Sequence, residues 1–213
     1  MHIPNGFLDP VTATTTAIAS GALLVFGWQH IRKEIAAQQP TTLGLVAAFI
    51  FAAQMINYSI GHHTSGHLIG ATLAAVICGP WAGGILMTMV LAVQSLFFHD
   101  GGTLALGANI INMAVIATAV GYSIYCIAYD KTNRTVAMAL GCWTSVVAVS
   151  AVAALELSIS GNGPLTSVFA AMVGWHSLIG IGEAGITILA AHYFFKFSTH
   201  TDLQSEVIGH AKN

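Results

Sequence analysis

The chain has 213 residues, of which 55% are hydrophobic and only 7% charged, with a mean hydropathy of +0.76 and a formal net charge of -2. Soluble domains carry roughly 25% charged residues, so this composition cannot build a water-exposed globule, and it is too apolar for disorder. Six Lys and Arg within a net negative charge leave no basic footprint for nucleic acid. Cys78, Cys126 and Cys142 lie in apolar runs, without the paired spacing of a disulfide framework or a zinc site. The composition is that of an all-α, polytopic membrane bundle forming one unit over residues 1–213.

A membrane-crossing helix needs roughly 17–25 mostly apolar residues. The first such run is Val11–Trp28, followed by His30, Arg32, Lys33 and Glu34 and closed by Pro40. The second, Leu43–Ser59, stops at the Gly/His-rich stretch from Gly61 to His67. From Leu68 to Phe98 the apolar run is too long for one helix. It divides at Gly79-Pro80-Trp81-Ala82-Gly83-Gly84, because Pro and Gly clusters are the strongest local breakers. That gives a rather short third span and a fourth. After His99-Asp100-Gly101-Gly102 come Leu104–Tyr129 and then Val136–Leu157, separated by the polar link Asp130–Arg134. The last run, Leu165–Phe197, is long for one helix and short for two. With Gly174, Gly180 and Gly182 inside it, it reads as a broken or re-entrant piece leading into one spanning helix. Residues 198–213 form a short tail.

Lys and Arg concentrate in cytoplasmic loops. Seven spans with the N-terminus outside put Arg32, Lys33, Lys131, Arg134, Lys196 and Lys212 inside, which is every basic residue in the chain. Without the division at Pro80, Lys131 and Arg134 would fall outside. No basic region precedes the first apolar stretch, and Arg32-Lys33 follow it. It therefore reads as an uncleaved, N-out anchor with Met1 as the true first residue.

This topology puts Met1-His2, His62-His63, His67 and His99-Asp100 on the outer side. Neutral imidazole is a ligand for Ni, Cu, Zn and Co. A His at position two offers its imidazole and its own backbone nitrogen beside the α-amine of Met1. These nitrogens make two fused chelate rings around one cation, in a plane. One more nitrogen closes a square, the geometry that favours Ni(II) or Cu(II). His67, opening the third helix among the small residues Ser65, Gly66 and Gly70, is the candidate fourth ligand. The plainer reading of each of these histidines is an interfacial or capping residue.

Polar residues also fall at membrane depth, where they are costly and point into a bundle or cavity. Gln54 and Asn57 share one face of the second helix, and Asn109 and Asn112 repeat that spacing in the fifth. His176 and Glu183 are seven residues apart in the last run; Glu183 needs protonation or a partner such as His176. Hydrogen bonding between helices accounts for Gln54, Asn109 and Asn112 equally well. Glu156 lies near an interface and needs no special role. No G-x-x-x-x-G-K-[ST] phosphate loop is present, nor H-E-x-x-H or G-x-S-x-G, so the chain reads as a non-enzyme without its own ATPase site.

The opening Met1-His2-Ile3-Pro4-Asn5-Gly6-Phe7-Leu8 resembles the start of the substrate-capturing membrane subunits of nickel and cobalt energy-coupling-factor transporters, the CbiM/NikM family. The resemblance continues through Thr64-Ser65-Gly66-His67-Leu68-Ile69-Gly70, Gly107-Ala108-Asn109 with Asn112-Met113, and His176 with Ile179–Ala184. It covers nearly the whole chain, and one departure is Asn5 where members commonly carry Asp. The resemblance implies a seven-helix, N-out subunit of a bacterial or archaeal cytoplasmic membrane, whose N-terminal segment (residues 1–10) folds inward onto the metal. It implies square-planar coordination by the Met1 amine, the His2 amide and imidazole, and the His67 imidazole. Gln54, Asn109, His176 and Glu183 are the candidates to orient those ligands. It also implies partners: a small membrane accessory subunit, a coupling transmembrane subunit and cytosolic ATP-binding-cassette ATPases. No cofactor is expected; Ni2+ or Co2+ is the cargo, and the His-Ile-Pro opening looks more like the nickel branch. The rival readings are a stand-alone proton-coupled secondary transporter using Glu183 and His176 as a relay, and a haem-binding redox subunit.

Overall fold

A computed structural model of the chain describes residues 1–61 and 64–210, with side chains for all of these except 58–61, 64 and 197–210. His62 and His63 therefore lie outside the described residues.

Helix α1 (Pro10–Ala36) starts where Asp9 Oδ1 accepts from the N–H groups of Val11 and Thr12, at 2.9 and 3.2 Å, with Pro10 supplying a first helical position that needs no donor. It outruns the expected Val11–Trp28 span by two turns, through Arg32 and Lys33, because nothing before Ala37 breaks it. Helix α2 (Pro40–Met55) is shorter than expected and ends before Asn57. The chain then forms an antiparallel hairpin of β1 (Tyr58–Gly61) and β2 (Thr64–Gly66), pairing Tyr58 with Gly66 and Ser59 with Ser65. Residues 67–70 are not helical, so His67 precedes the third helix instead of opening it.

Helix α3 (Ala71–Cys78) is about 12 Å long, too short to cross a bilayer alone. As expected, the break before α4 (Pro80–Phe97) falls at Gly79, whose φ of 94° excludes most side chains, followed by Pro80. Glu34 at the end of α1 caps this break: its Oε2 accepts from Trp81 and Ala82 N–H, both at 2.8 Å.

Helix α5 (Leu106–Tyr129) contains a π-helical turn over Ile110–Ile116, immediately after Asn109. Helix α6 (Arg134–Ile159) is capped by Asn133, whose side chain accepts from Val136 N–H at 3.0 Å. The expected break in the last run is absent. Helix α7 (Leu165–His210) is continuous through Gly174, Gly180 and Gly182. Glycine costs a helix about 1 kcal/mol, whereas an opened backbone in lipid costs several, so glycines alone do not stop it. The tail from residue 198 simply prolongs this helix.

Among the described residues, five helices are long and apolar enough to cross a membrane: α1, α4, α5, α6 and α7. Short α3 packs inside their frame with six of its eight residues buried, whereas α2 lies against it with only Val46, Ile50 and Gln54 buried. Small residues set the close crossings: a Cβ at Gly107 would collide with the backbone of Thr16 and Ala17 in α1, and one at Gly83 would lie 2.8 Å from Ala75 N. The core between α3, α4, α5 and α6 is built by Leu73, Met87, Leu91, Met113 and Val149, all 1% exposed or less.

Candidate metal site

The nine residues before α1 fold inward and plug the bundle, leaving Met1 2%, His2 4% and Ile3 2% exposed. Ile3 is gripped like a strand residue: its N–H donates to Asn109 Oδ1 at 2.9 Å, and its carbonyl accepts from Asn109 Nδ2 at 3.2 Å and Gly102 N–H at 2.9 Å. Further along, Asn5 Oδ1 accepts from Leu104 N–H (2.9 Å), Phe7 O from Asn162 Nδ2 (2.6 Å) and Asp9 Oδ2 from the Ser160 hydroxyl (3.0 Å). Asn5 is thus a structural anchor with its own main-chain partner.

This docking brings the first two residues onto the hairpin and the His67 segment. The Met1 amine donates to the Ser65 carbonyl and, at 3.2 Å, to Ser65 Oγ. The His2 N–H points at His67 Nε2, 3.3 Å away, and the two imidazoles stack with centroids 4.4 Å apart and planes 24° apart. His67 Nδ1 lies 2.8 Å from the Leu68 carbonyl. A carbonyl only accepts, so Nδ1 carries the proton and Nε2 presents its lone pair to His2. Burial pushes the Met1 amine down to about 4, and it also lowers His2 and, further, His67 below the usual imidazole range. The amine and both rings are therefore neutral near pH 7, with lone pairs available.

The His67 segment is itself held from two sides. Glu183 on α7 accepts from Ile69 N–H and Gly70 N–H, both at 2.8 Å, and Gln54 on α2 donates to the Ile69 carbonyl at 2.6 Å. Gly70 takes a φ of 79° here, which lets the chain turn into α3. Glu183 is thus engaged by main-chain donors, not by His176. His176 lies on the same face of α7, donates from Nδ1 to Met172 O at 2.7 Å, and sits beside the main chain of Ser65.

The sequence expectations sort clearly. Met1, His2, His67, Gln54, Asn109, Glu183 and His176 all converge on one region. Asn57, past the end of α2, leaves Gln54 and donates instead to Asp100 Oδ1 at 3.3 Å. His99 is exposed, with φ 55°. Glu156 is not idle: it is 8% exposed and accepts from Asn112 Nδ2 at 2.6 Å. The sequence reading missed Gln94, which faces the His2 ring, and gave Asp100 no role, although Asp100 Oδ1 lies 3.2 Å from His2 Nδ1. Gln94 sits in an apolar run where a single amide carries no motif. Among the described residues no three His, Cys, Asp or Glu side chains converge as a metal cluster, so the donors gathered here are two imidazoles and main-chain nitrogens.

Comparison with known proteins identifies the family. The family described as the cobalt uptake substrate-specific transmembrane region, CbiM, matches residues 2–201. The chain belongs to the CbiM family. As a CbiM-family chain it is a membrane component of metal transport. It is 41% identical over 197 residues, 91% of its length, to an Archaeoglobus fulgidus protein named as a fused nickel transport protein, NikMN. It spans only 65% of that relative's length, and 47% of the fused nickel transport protein NikMN of Rhodobacter capsulatus, to which it is 34% identical over 75% of its own length. It is also 31% identical to the cobalt transport protein CbiM of Listeria seeligeri, over 88% of this CbiM-family chain and 78% of the relative. The structure of a transition metal transporter superposes with a TM-score of 0.84 at 34% identity, covering 96% of this chain and 97% of that one. A truncated transition metal transporter gives 0.83 at 35% identity, with 92% and 99% covered.

Proposed function

We propose that this chain is the subunit that captures Ni2+, or alternatively Co2+, from outside the membrane, holding it in a plane of four nitrogens. These are the Met1 amine, the His2 main-chain nitrogen, the His2 imidazole and His67 Nε2. The observation that carries the reading is the approach of His2 N to His67 Nε2 at 3.3 Å, with the Met1 amine buried beside them. In a planar chelate these two nitrogens are opposite corners, about 4 Å apart across the ion at metal–nitrogen distances of about 2 Å. A shift of several tenths of an ångström, with loss of the amide proton, turns the present hydrogen bond into two metal bonds. Only a strongly polarising cation displaces that proton, which favours nickel. Asn109, Gln54 and Glu183 supply the outer contacts that fix the ligands, through Ile3 on one side and Ile69-Gly70 on the other. His176 backs the Ser65 carbonyl that receives the Met1 amine.

In this reading the N-terminus lies outside, so the site opens to the face from which metal arrives. Inward release then falls to an energy-coupling-factor assembly, with an accessory membrane subunit, a coupling membrane subunit and ATP-binding-cassette ATPases. A stand-alone proton-coupled transporter is the second reading. The engagement of Glu183 by two main-chain donors argues against it, because a relay carboxylate has to be free to exchange its proton.

The test is metal analysis with a visible spectrum on protein carrying its native N-terminus and a C-terminal tag, with intact mass to establish that Met1 is first. One Ni per chain with weak planar d–d bands, lost on His2→Ala and on His67→Ala, supports the chelate. Metal that survives both substitutions overturns it.

A further inference from the structure

The side of the His2 ring facing Gln94 and Asp100 is lined by polar atoms that the fold does not satisfy. Nε2 of His2, Nε2 and Oε1 of Gln94 and Oδ2 of Asp100 are buried without a hydrogen-bond partner among the described residues, and His2 Nδ1 faces Asp100 Oδ1 at 3.2 Å. Gln94 is fully buried on α4. Its main-chain carbonyl accepts from both Phe98 N–H and Asp100 N–H at 3.1 Å, which folds the chain back at the end of α4 and brings Asp100 to the ring. A buried polar group without a hydrogen-bond partner is destabilising. Three facing side chains that all leave such groups open form a place for something polar. The cluster also reaches toward solvent: the Asp100 side chain is 14% exposed, and its Oδ1 is held by exposed Asn57 at 3.3 Å. At the closed end, Gly101 presses its backbone on His2, where a Cβ would lie 3.3 Å from His2 Cβ and Cδ2.

The open acceptors on Asp100 and Gln94 are oxygens, unlike the nitrogens of the chelate. We propose that Asp100 Oδ2 and Gln94 Oε1 form a reception site for a hydrated divalent cation, which they hold beside His2 before the nitrogen ligands close on it. This rests on the planar chelate proposed above. Oxygen donors exchange readily with the water shell of a divalent ion, whereas the nitrogen set forms only after an amide proton has left. The order is therefore fixed by chemistry. The cation arrives with its waters and takes the two oxygens, and His2 Nδ1, close to Asp100, then replaces a water. The amide proton passes to water as the His2 nitrogen binds.

Stopped-flow mixing of Ni2+ with the full chain, followed at the planar d–d bands, separates arrival from holding. Asp100→Asn is expected to slow association roughly tenfold, the low end of what a focusing charge does for on-rates, with final spectrum, stoichiometry and dissociation rate retained. Gln94→Leu slows it less. Millimolar Mn2+, which prefers oxygen donors and cannot form the amidate chelate, should slow Ni2+ loading of the unsubstituted chain and leave Asp100→Asn unaffected. Loading of Asp100→Asn at the unsubstituted rate, or no competition by Mn2+, overturns the proposal. So does loss of the planar spectrum in both variants, which would make these residues supports of the chelate itself. If the unsubstituted chain forms no planar nickel complex, the chelate reading fails. Binding of Mn2+ alone, read by loss of its free-ion EPR signal and abolished by Asp100→Asn, still tests the oxygen site independently.

Discussion

The main-chain N–H of His2 donates to Nε2 of His67 at 3.3 Å while the two rings lie stacked at 4.4 Å. This contact joins the second residue of the chain to one that is 65 positions away, and it sets two nitrogens at nearly the spacing a planar cation needs. It exists because each residue is held from behind. Asn109 clamps Ile3, and Glu183 with Gln54 clamps Ile69 and Gly70.

A chain with one residue added before Met1 should lose planar nickel binding. The Met1 amine is buried against Ser65, and extension turns it into an amide and leaves no room for the added residue beside His67. The comparison is nickel content and d–d absorption of native and Gly-extended protein, each verified by intact mass. Retention of the native spectrum by the extended chain would be fatal to the role given to the amine.

Glu183→Gln should weaken nickel binding by roughly ten- to a hundredfold, the usual cost of losing a group that orients a metal ligand. The carboxylate accepts from two main-chain donors at 2.8 Å, and an amide offers only one acceptor and aims its own N–H groups at the other donor. Leaving that buried donor unpaired also costs about 1–3 kcal/mol of stability. Isothermal titration with nickel, alongside a thermal melt of the metal-free variant, measures both. Unchanged affinity would show that the His67 segment is positioned without α7.

Much of this was legible in the sequence, and the rest failed for identifiable reasons. The break at Gly79-Pro80 and the polar positions Gln54, Asn109, His176 and Glu183 could be read because Pro, Gly and intramembrane polar groups are each costly and so informative. The continuity of α7 could not: of the glycines that suggested a break, only Gly180 serves close packing, where a Cβ would lie 3.2 Å from Trp143 Cδ1, while Gly174 and Gly182 have open space beside them and are simply carried within the helix. The hairpin at Tyr58–Gly66 was hidden because four- and three-residue strands leave no alternation to detect. Glu156 was misjudged from its place near a helix end, a position that does not reveal that Asn112 faces it from another helix.

Docking of the N-terminal segment in the metal-free protein should strengthen as pH rises from about 4 to 8. The Met1 amine sits at about 4 when docked and near 8.0 when free, and His2 and His67 are lowered in the same sense, all first by burial. Between those limits these three groups bind more protons when undocked than when docked, so acidification favours release of the N-terminal segment. Protons also compete with metal for the same nitrogens, so nickel affinity should fall with pH as well. Amide hydrogen exchange of residues 1–9 in detergent at pH 8 and pH 5, corrected for the intrinsic pH dependence of exchange, tests the first claim. Protection of these residues that holds level or rises toward pH 5 contradicts it.

Asn109→Ala should loosen the N-terminal segment without unfolding the bundle. Asn109 gives Ile3 both an acceptor and a donor, at 2.9 and 3.2 Å, and losing two hydrogen bonds of about 1 kcal/mol each leaves the segment about 2 kcal/mol less well docked, roughly thirtyfold in population. The remaining grip, from Gly102 on the Ile3 carbonyl and Leu104 on Asn5, is main-chain on one side and survives the change. Gly107→Ala is the contrasting case, because its new methyl would strike the backbone of Thr16 and Ala17 and push α1 from α5, the helix that carries Asn109. Asn109→Ala should therefore keep a near-native melt with weakened nickel binding, whereas Gly107→Ala lowers both. Equal melting temperatures for the two variants would show that the α1–α5 crossing can yield.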